Sequence, residues 1–394
     1  PEEAGAIEAA ASTGGQIMPP IMGAAAFLMA EMLGISYMSI CKAAAIPAIM
    51  YYLAIFLLVH MLAKKRRSAG EEVEMDLECE PILPRLYLLT PIVVLVAAIA
   101  YGCTLQRSAL YGIAAILILN VISPRMRYGP IHIIQQVLNA TRLSSNTSQP
   151  ISGCGIIIGI VSISGLATRL STVISSMGGD LMWMGLIITM LGCMLLGMAL
   201  PTVAAYLTAY VLFIPTLKGL GISTLAANMF IFYFGIFAQI TPPVCIASYT
   251  AAGIADAKPW DTGWRGMVYA SVAFFAPFAF VYEPGILMEG YLIQIITDSG
   301  ILALGTAMLV LAVAGYLLTN IPMWQRLLLL AGGICTCIPE AMTDYIGFGI
   351  GAVVVVLQIL KYRSEKDQRA AAIQQPKVVK KILADTSEVN LDEE

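Results

Sequence analysis

Two short motifs place polar side chains beside paired prolines inside strongly apolar surroundings. The sequence Gln16–Pro20 (QIMPP) recurs as Gln239–Pro243 (QITPP), at an offset of 223 residues. Proline removes a backbone donor and interrupts a helix, so each motif predicts two half-helices that meet at a tip. Free carbonyls at the end of one half suit Na⁺, and free N–H groups at the start of the next suit a carboxylate. The chemistry expected here is reversible binding of a cation and an organic anion.

A third interruption lies in the long apolar segment between residues 181 and 217. Gly197 and Pro201 predict that this segment is unwound near its middle, and Thr202 adds a hydroxyl group there. Oxygen atoms are the ligands that hard cations prefer. We therefore predict that Na⁺ is held by backbone carbonyls together with Ser12, Thr202 and Thr241.

The predicted ion- and substrate-binding residues fall into three groups. The first motif and the polar run before it contribute Ser12, Thr13, Gly14, Gly15, Gln16, Pro19 and Pro20. The broken helix contributes Gly197, Pro201 and Thr202, and the second motif contributes Gln239, Thr241, Pro242 and Pro243. An alternative interpretation stays open, in which the prolines only kink spanning helices and each hydroxyl bonds to its own helix. No catalytic residue is predicted, and no cofactor beyond Na⁺ as the coupling ion.

The elements that carry these motifs must be membrane helices. Hydrophobic residues make up 59% of the 394 residues, charged residues make up 12%, and the mean hydropathy is +0.82. Soluble domains are typically about 45–50% apolar and about 25% charged, so an ordinary soluble enzyme is excluded. The net charge of −3 provides no basic surface for nucleic acid. The predicted class is an all-α polytopic membrane protein.

Each Pro-Pro motif is expected to be the tip of a re-entrant hairpin, because its flanking apolar stretches are shorter than the roughly 20 residues that cross a bilayer. The predicted order is a first hairpin (1–35), transmembrane helices with a basic and an acidic cytoplasmic loop (36–127), an interfacial helix (128–148), a second inverted repeat with the broken helix and the second hairpin (149–290), a C-terminal transmembrane extension (291–360) and a polar cytoplasmic tail (361–394).

Basic residues predict the orientation in the membrane. Lys64–Arg67 directly follows an apolar span, so that end is expected to be cytoplasmic. Counting spans onward from there places Arg125 and Arg127 on the cytoplasmic side as well. If residues 181–217 form one broken crossing, the C-terminal tail is also cytoplasmic and the two repeats are inverted, whereas two crossings there would place the tail outside. Inverted repeats with interrupted helices are typical of secondary transporters.

Few ionisable residues lie in the apolar stretches. Glu8 and Glu31 flank the first motif and are the two carboxylates retained as functional candidates. A proton relay needs carboxylates in mid-span, and without a convincing chain of them the sequence favours Na⁺ over H⁺ coupling. The eight cysteines include no C-x-x-C pair, and the two histidines, His60 and His132, indicate no metal site.

The run Ala9–Phe27 (AAASTGGQIMPPIMGAAAF) resembles the large membrane permease of TRAP transporters, and more narrowly the often fused permease of the TAXI-associated branch. Gly197–Thr202 and the run from Phe232 to Pro243 are similar to the second half of that family. Ala251–Ala255 and Trp260–Gly266 also fit it. The resemblance covers about residues 4–287.

This resemblance implies an elevator-type secondary transporter, driven by a Na⁺ gradient, in which the two tips and the broken helix line the site. It implies an extracytoplasmic substrate-binding protein of the TAXI type that delivers an organic acid, and a small membrane subunit that is either separate or fused upstream. The expected location is the cell inner membrane, with the lipid bilayer around the helices. The family has a further broken helix before the first motif, so the chain is expected to be a fragment truncated at its N-terminus.

Three other functions compete with this one. An intramembrane enzyme would need clustered titratable groups, and the sequence contains neither H-E-x-x-H nor G-x-S-x-G. A Na⁺/dicarboxylate symporter that works without a binding protein would have physically similar tips, and only the wider sequence pattern argues against it. A membrane scaffold would not need two broken segments. We therefore predict a permease and not an enzyme.

Overall fold

The computed structural model is helical, and it describes residues 1–70, 83–122, 128–166, 168–169, 172, 182–198, 200–336 and 343–364. In chain order its helices are α1 (Glu2–Gly14), α2 (Ala24–Leu33), α3 (Tyr37–Ser68), α4 (Thr90–Ala100), α5 (Leu105–Ile122), α6 (Pro130–Ser164), α7 (Met182–Gly197), α8 (Thr202–Gly219), α9 (Thr224–Phe237), α10 (Ile246–Ile254), α11 (Pro259–Ser271), α12 (Ala276–Tyr282), α13 (Leu292–Ala314), α14 (Met323–Cys335) and α15 (Thr343–Ser364). Short 3₁₀ turns lie at Leu83–Leu89, Ala238–Ile240 and Pro284–Leu287.

Within the described residues, five helical segments are long and apolar enough to cross a membrane. They are α3, α8, the segment Pro259–Tyr282 that comprises α11 and α12, α13, and α15. In α3, Ser36 caps the first turn by accepting a hydrogen bond from the backbone N–H of Ser39, and Lys65–Arg67 occupy the last turn. Basic side chains there interact favourably with the helix dipole. The predicted class, an all-α polytopic membrane protein, is confirmed.

The two Pro-Pro segments have the same local structure, which confirms the internal repeat. Both Pro-Pro peptide bonds, Pro19-Pro20 and Pro242-Pro243, are cis. Three residues after the first proline, Met22 and Cys245 both have positive φ angles, 46° and 23°. Each donates its backbone N–H to the carbonyl four residues earlier, at 3.2 Å in both copies. The helices correspond as well, since α1 and α9 precede the motifs and α2 and α10 follow them.

The arrangement of these half-helices differs from the expected hairpins. In the fully described segment 1–68, α3 runs antiparallel to α1: Arg66 pairs with Glu3, and Tyr51 Oη donates to the carbonyl of Ala10 at 2.5 Å. The start of α3 lies at the interruption, where Tyr37 Oη donates to the carbonyl of Pro20 at 2.9 Å. Instead of packing side by side, α1 packs against α10 and α11, and α2 packs against α8 and α3. Each Pro-Pro motif therefore separates two half-helices with different neighbours.

The repeats pack crosswise. The first half of one repeat contacts the second half of the other, so that α1 lies against α10 and α9 lies against α2. Such an exchange is what a two-fold axis between two repeats produces, and it agrees with the repeat architecture of secondary transporters.

The segment around Gly197–Thr202 is the one that folds back on itself. Gly192 in α7 lies directly against the ring of Phe213 in α8. A helix rises about 1.5 Å per residue, so these residues would be about 30 Å apart in a continuous crossing. The predicted single broken crossing is therefore a helical hairpin whose turn lies between α7 and α8. The cytoplasmic position of the C-terminal tail was inferred by counting this segment as one membrane crossing, so it no longer follows from the count.

Two further predictions have other outcomes. The predicted interfacial helix at 128–148 continues into the following apolar segment as one helix, α6, although Pro150 lies at the junction. The acidic loop at 71–80, Arg125, Arg127 and the tail beyond residue 364 lie outside the described residues.

The helices after the second repeat are attached to α3. α13 packs along α3 and against α14. The carbonyls at the C-terminus of α13 are capped by cations: Arg326 Nε donates to Ala312 at 2.7 Å, Arg326 Nη2 to Val313 at 2.9 Å, and Lys65 Nζ to Ala314 at 3.3 Å. Helix C-termini carry unpaired carbonyls, so these contacts satisfy groups that would otherwise be buried without donors.

Candidate functional site

Three polar side chains form a closed ring of hydrogen bonds where the interrupted segments meet. Gln16 Nε2 donates to Gln239 Oε1 at 3.2 Å, and Gln239 Nε2 donates to Thr202 Oγ1 at 2.8 Å. Thr202 Oγ1 then donates to Gln16 Oε1 at 2.6 Å. All three side chains are half-buried. We call this set (Gln16, Thr202 and Gln239) the polar ring.

Each member of the ring comes from a different interruption. Gln16 lies between α1 and α2, and its backbone carbonyl accepts the N–H of Gly23 at 2.7 Å. Gln239 lies in the 3₁₀ turn after α9, and Thr202 is the first residue of α8, directly after Pro201. The polar ring therefore joins the tip of the α7–α8 hairpin to both Pro-Pro segments.

Close approach between α7 and the second Pro-Pro segment depends on Gly197. A Cβ atom at Gly197 would lie 2.6 Å from the Cβ of Ala238 and 3.2 Å from the carbonyl oxygen of Gly235. A contact of 2.6 Å is essentially never seen for a real Cβ atom, so any side chain at position 197 would displace Ala238 or α7 itself. Gly197 thus sets the distance between the hairpin and the residue preceding Gln239.

Tyrosines that sequence reasoning missed hold the backbone of the tips. Tyr37 Oη donates to the carbonyls of Pro20 and Ile21, and Tyr249 Oη donates to the carbonyl of Pro243 at 3.1 Å. In addition, Tyr51 and Tyr52 donate to the carbonyls of Ala10 and Ala11, and their rings fill the space beside Gly14. At the two Pro-Pro segments, the carbonyls of Pro20, Ile21 and Pro243 thus accept hydrogen bonds from phenol groups. Proximity in sequence could have indicated only Tyr249, six residues after Pro243, because Tyr37 lies 17 residues from Pro20 and Tyr51 lies 41 residues from Ala10.

The other predicted hydroxyls are outside the polar ring. Thr13 Oγ1 donates to the carbonyl of Ala9 at 2.7 Å, and Thr241 Oγ1 donates to that of Phe237 at 2.8 Å. Ser12 is exposed and donates to Glu8 Oε1 at 2.7 Å. Of the predicted sodium ligands, Thr202 alone joins the ring, whereas Thr241 is bonded to its own helix. The lone pairs of these hydroxyl oxygens remain available as acceptors.

The polar ring is electrically neutral. The two retained carboxylates, Glu8 and Glu31, are exposed and do not reach it. Among the described residues, no group of three or more His, Cys, Asp or Glu side chains is arranged to hold a metal ion. Amide, hydroxyl and carbonyl groups are therefore the chemistry that the site offers. Such groups can coordinate a weakly held monovalent cation and donate hydrogen bonds to a carboxylate.

Comparison with known protein families identifies the family of the chain that carries this site. A family described as the tripartite ATP-independent periplasmic transporter, DctM component, matches residues 1–295. The chain belongs to this family. Residues 1–295, which match the DctM component, contain both repeats and the polar ring, whereas α14 and α15 lie beyond residue 295. No curated protein matches the sequence.

Family membership confirms the permease interpretation, and DctM components form a family of transporter permeases rather than enzymes. It also implies association with a substrate-binding protein and a small membrane subunit, the other two components of a tripartite system. The protein is therefore a multi-pass membrane permease of a TRAP transporter.

Proposed function

We propose that this DctM component carries out Na⁺-coupled uptake of an organic acid across the cell inner membrane. The observation that carries the proposal is the polar ring, in which two equivalent glutamines and one threonine meet at three helix interruptions. Interrupted helices persist at membrane depth only where they are buried in protein or line a cavity. A site for a small polar solute is the function that such an arrangement supports.

The polar ring provides donors suited to a carboxylate. Each glutamine has two amide N–H donors, and in the ring Gln16 and Gln239 each donate one of them to another ring member. A substrate carboxylate that enters between Gln16 and Gln239 accepts hydrogen bonds from their two amide N–H groups. In the ring, the amide of Gln16 now donates to Gln239, and that of Gln239 donates to Thr202. Binding thereby replaces hydrogen bonds within the ring by hydrogen bonds to the substrate, at little net cost.

The acceptor atoms of the same segments support the proposed sodium coupling. The hydroxyl oxygens of Thr202 and Thr241 and the carbonyls around the interruptions are hard, uncharged ligands. With Ser12, they are the oxygens that we propose as sodium ligands. Since the ring carries no charge of its own, a bound cation adds the positive charge that an anionic substrate needs nearby.

The remaining proposals concern how the substrate is delivered, how the transport domain moves and how the permease is oriented in the membrane. We propose that the substrate is delivered by an extracytoplasmic binding protein of the TAXI type, and that the transport domain moves in the elevator manner. The basic end of α3, Lys64–Arg67, and Lys361 and Arg363 at the end of α15 support a cytoplasmic position of both ends. The C-terminal tail that follows α15 is then cytoplasmic.

Uptake of radiolabelled organic acids into proteoliposomes tests this function. The assay uses the full-length permease with its small subunit and purified binding protein, with and without an inward Na⁺ gradient. We expect uptake that needs both the binding protein and Na⁺. Uptake without the binding protein would instead indicate a binding-protein-independent Na⁺/dicarboxylate symporter. Uptake driven equally well by a proton gradient, without Na⁺, would contradict the coupling.

A further inference from the structure

A second polar cluster lies far from the polar ring, where the end of the second repeat meets the C-terminal helices. A small cavity, about 10 Å³, is lined by Ala279, Glu283, Ile286, Asp298, Ile301, Leu302, Thr336 and Asp344. That volume is about what one water molecule needs. Three of the eight lining side chains are carboxylic acids. They come from three elements, the end of α12, α13 and the start of α15.

Asp298 is the innermost of these acids. Its side chain is only 7% exposed, and its Oδ2 atom has no hydrogen-bond partner. The other oxygen, Oδ1, accepts a hydrogen bond from Thr297 Oγ1 at 3.3 Å. The carboxyl group of Asp298 packs so closely against Gly285 that a side chain at position 285 would overlap it. A buried, unpartnered carboxylate oxygen is costly, so this atom needs a ligand in the cavity.

Among the residues that the structure describes, the groups around Glu283 provide no positive charge. Burial, the adjoining Asp298 carboxyl and the negative charges of Asp298 and Asp344 raise the pKa of Glu283 from 4.5 to about 7. The cations on the neighbouring elements are engaged elsewhere or exposed: Lys65 on α3 and Arg326 on α14 bind the carbonyls at the far end of α13, and Lys42 on α3 is exposed. The described residues thus leave the three acids to be neutralised by a small cation.

We propose that the cavity between Glu283, Asp298 and Asp344 is a proton-binding site, in which Glu283 holds a proton that it shares with the unpartnered oxygen of Asp298. The proton converts a repulsive pair of carboxylates into a donor and an acceptor. Its presence stabilises the junction between α12, the Pro284–Leu287 turn, α13 and α15. Loss of the proton leaves three negative charges around a space for one water molecule, which loosens that junction.

The pH dependence has a defined sign. Because the pKa of Glu283 is higher in the folded protein than its ordinary value of 4.5, the folded state binds the proton more tightly. The stabilisation is fully present below pH 4.5 and is lost as the pH rises through about 7. This prediction is independent of the polar ring and of Na⁺-coupled transport.

Thermal unfolding of the purified full chain from about pH 4 to about pH 9 tests the site. We expect the melting temperature of the wild type to fall between about pH 4.5 and about pH 7 and to level off above that. In Glu283→Gln that step should be absent, because glutamine mimics the protonated acid at every pH. Glu289→Gln is the matched control: it makes the same change at an exposed carboxylate six residues away, and it should keep the wild-type step.

Two further measurements keep the test decisive if Glu283→Gln does not fold. In Asp298→Asn the fall in melting temperature should end at a lower pH, because a negative charge that raises the pKa of Glu283 is removed. Infrared spectra at pH 6 should show the C=O stretch of a protonated carboxylic acid in the wild type and in Glu289→Gln. An unchanged pH step in Glu283→Gln, or no protonated acid at pH 6, would overturn the proposal. So would stabilisation above pH 7 by Na⁺ but not by choline, since the site would then bind a metal cation.

Discussion

Gln16 and Gln239 occupy the same position in two copies of one motif, 223 residues apart, and their side-chain amides are hydrogen-bonded to each other at 3.2 Å. Equivalent residues of two repeats can touch only close to the axis that relates the repeats. This contact therefore places the axis at the polar ring. Thr202 breaks the symmetry, because it bridges the two glutamines from one side, as a donor to Gln16 and an acceptor from Gln239.

Thr202→Val removes the hydroxyl that links the two glutamines and keeps the shape of the side chain. Two hydrogen bonds are lost, and hydrogen bonds between membrane helices contribute on average about 0.6 kcal/mol each. We expect the free energy of unfolding in detergent to fall by about 1 kcal/mol, and transport to fall more strongly, because both glutamines lose their fixed orientation.

A double-mutant cycle with Gln239→Leu provides the control for Thr202→Val. If the polar ring acts as a unit, the double variant should lose less stability than the sum of the two single variants, with a coupling of at least about 0.5 kcal/mol. Strict additivity of the two changes would mean that the side chains do not act together.

Gly197→Ala tests the close approach of the hairpin to the second Pro-Pro segment. The added Cβ would overlap Ala238, next to Gln239, so the hairpin must move away and lengthen the bond from Gln239 to Thr202. We expect a cost of about 1–3 kcal/mol in thermal unfolding together with reduced uptake. Gly253→Ala is the matched control, since no atom lies within 4 Å of its added Cβ. Equal behaviour of the two variants would show that the contact is unimportant.

The positions of the helix breaks could be predicted from the sequence, but not the direction in which the chain leaves them. Proline interrupts a helix whether the next half returns or continues, and half-helix lengths are the same in both cases. The direction depends on long-range contacts such as Tyr51 with Ala10 and Gly192 with Phe213. For this reason the two half-helices at each Pro-Pro motif, predicted to form a hairpin, do not pack side by side in the structure. The segment between residues 181 and 217, predicted to be a single crossing, instead contains the hairpin of α7 and α8.

The polar ring was predictable only in part. Gln16, Thr202 and Gln239 were all selected because they lie at interruptions, yet no local pattern shows that the three meet. Asp298 was missed for a different reason. Hydropathy alone starts its span near Ile301, which leaves Asp298 in a loop, whereas α13 begins at Leu292 and buries it.

Arg326→Met should destabilise the attachment of the C-terminal helices. The guanidinium group donates to the carbonyls of Ala312 and Val313, and methionine keeps much of the length but none of the donors. Two helix-terminal carbonyls are then left without their charged donor, which costs about 1–3 kcal/mol. The change should appear in thermal unfolding. Arg363→Met, at the exposed end of α15, is the control and should unfold like the wild type. A wild-type melting temperature for Arg326→Met would contradict the capping role.

Thr241→Val decides whether the hydroxyl of the second motif is a sodium ligand or only bonds to its own helix. Thr241 is 4% exposed and donates to the carbonyl of Phe237, four residues earlier. We expect the variant to fold normally but to bind Na⁺ at least about tenfold more weakly, a loss of about 1.4 kcal/mol, when Na⁺ is titrated by calorimetry.

Thr208→Val is the matched control for Thr241→Val, because Thr208 is equally buried and donates to the carbonyl of Ala204, also four residues earlier. It lies within α8, away from the interruptions, so its loss should leave sodium affinity unchanged. If both variants keep the wild-type affinity, Thr241 serves its own helix alone. If both weaken Na⁺ binding equally, the effect arises from helix packing rather than from coordination, because the two substitutions share only the loss of a back-bonded hydroxyl.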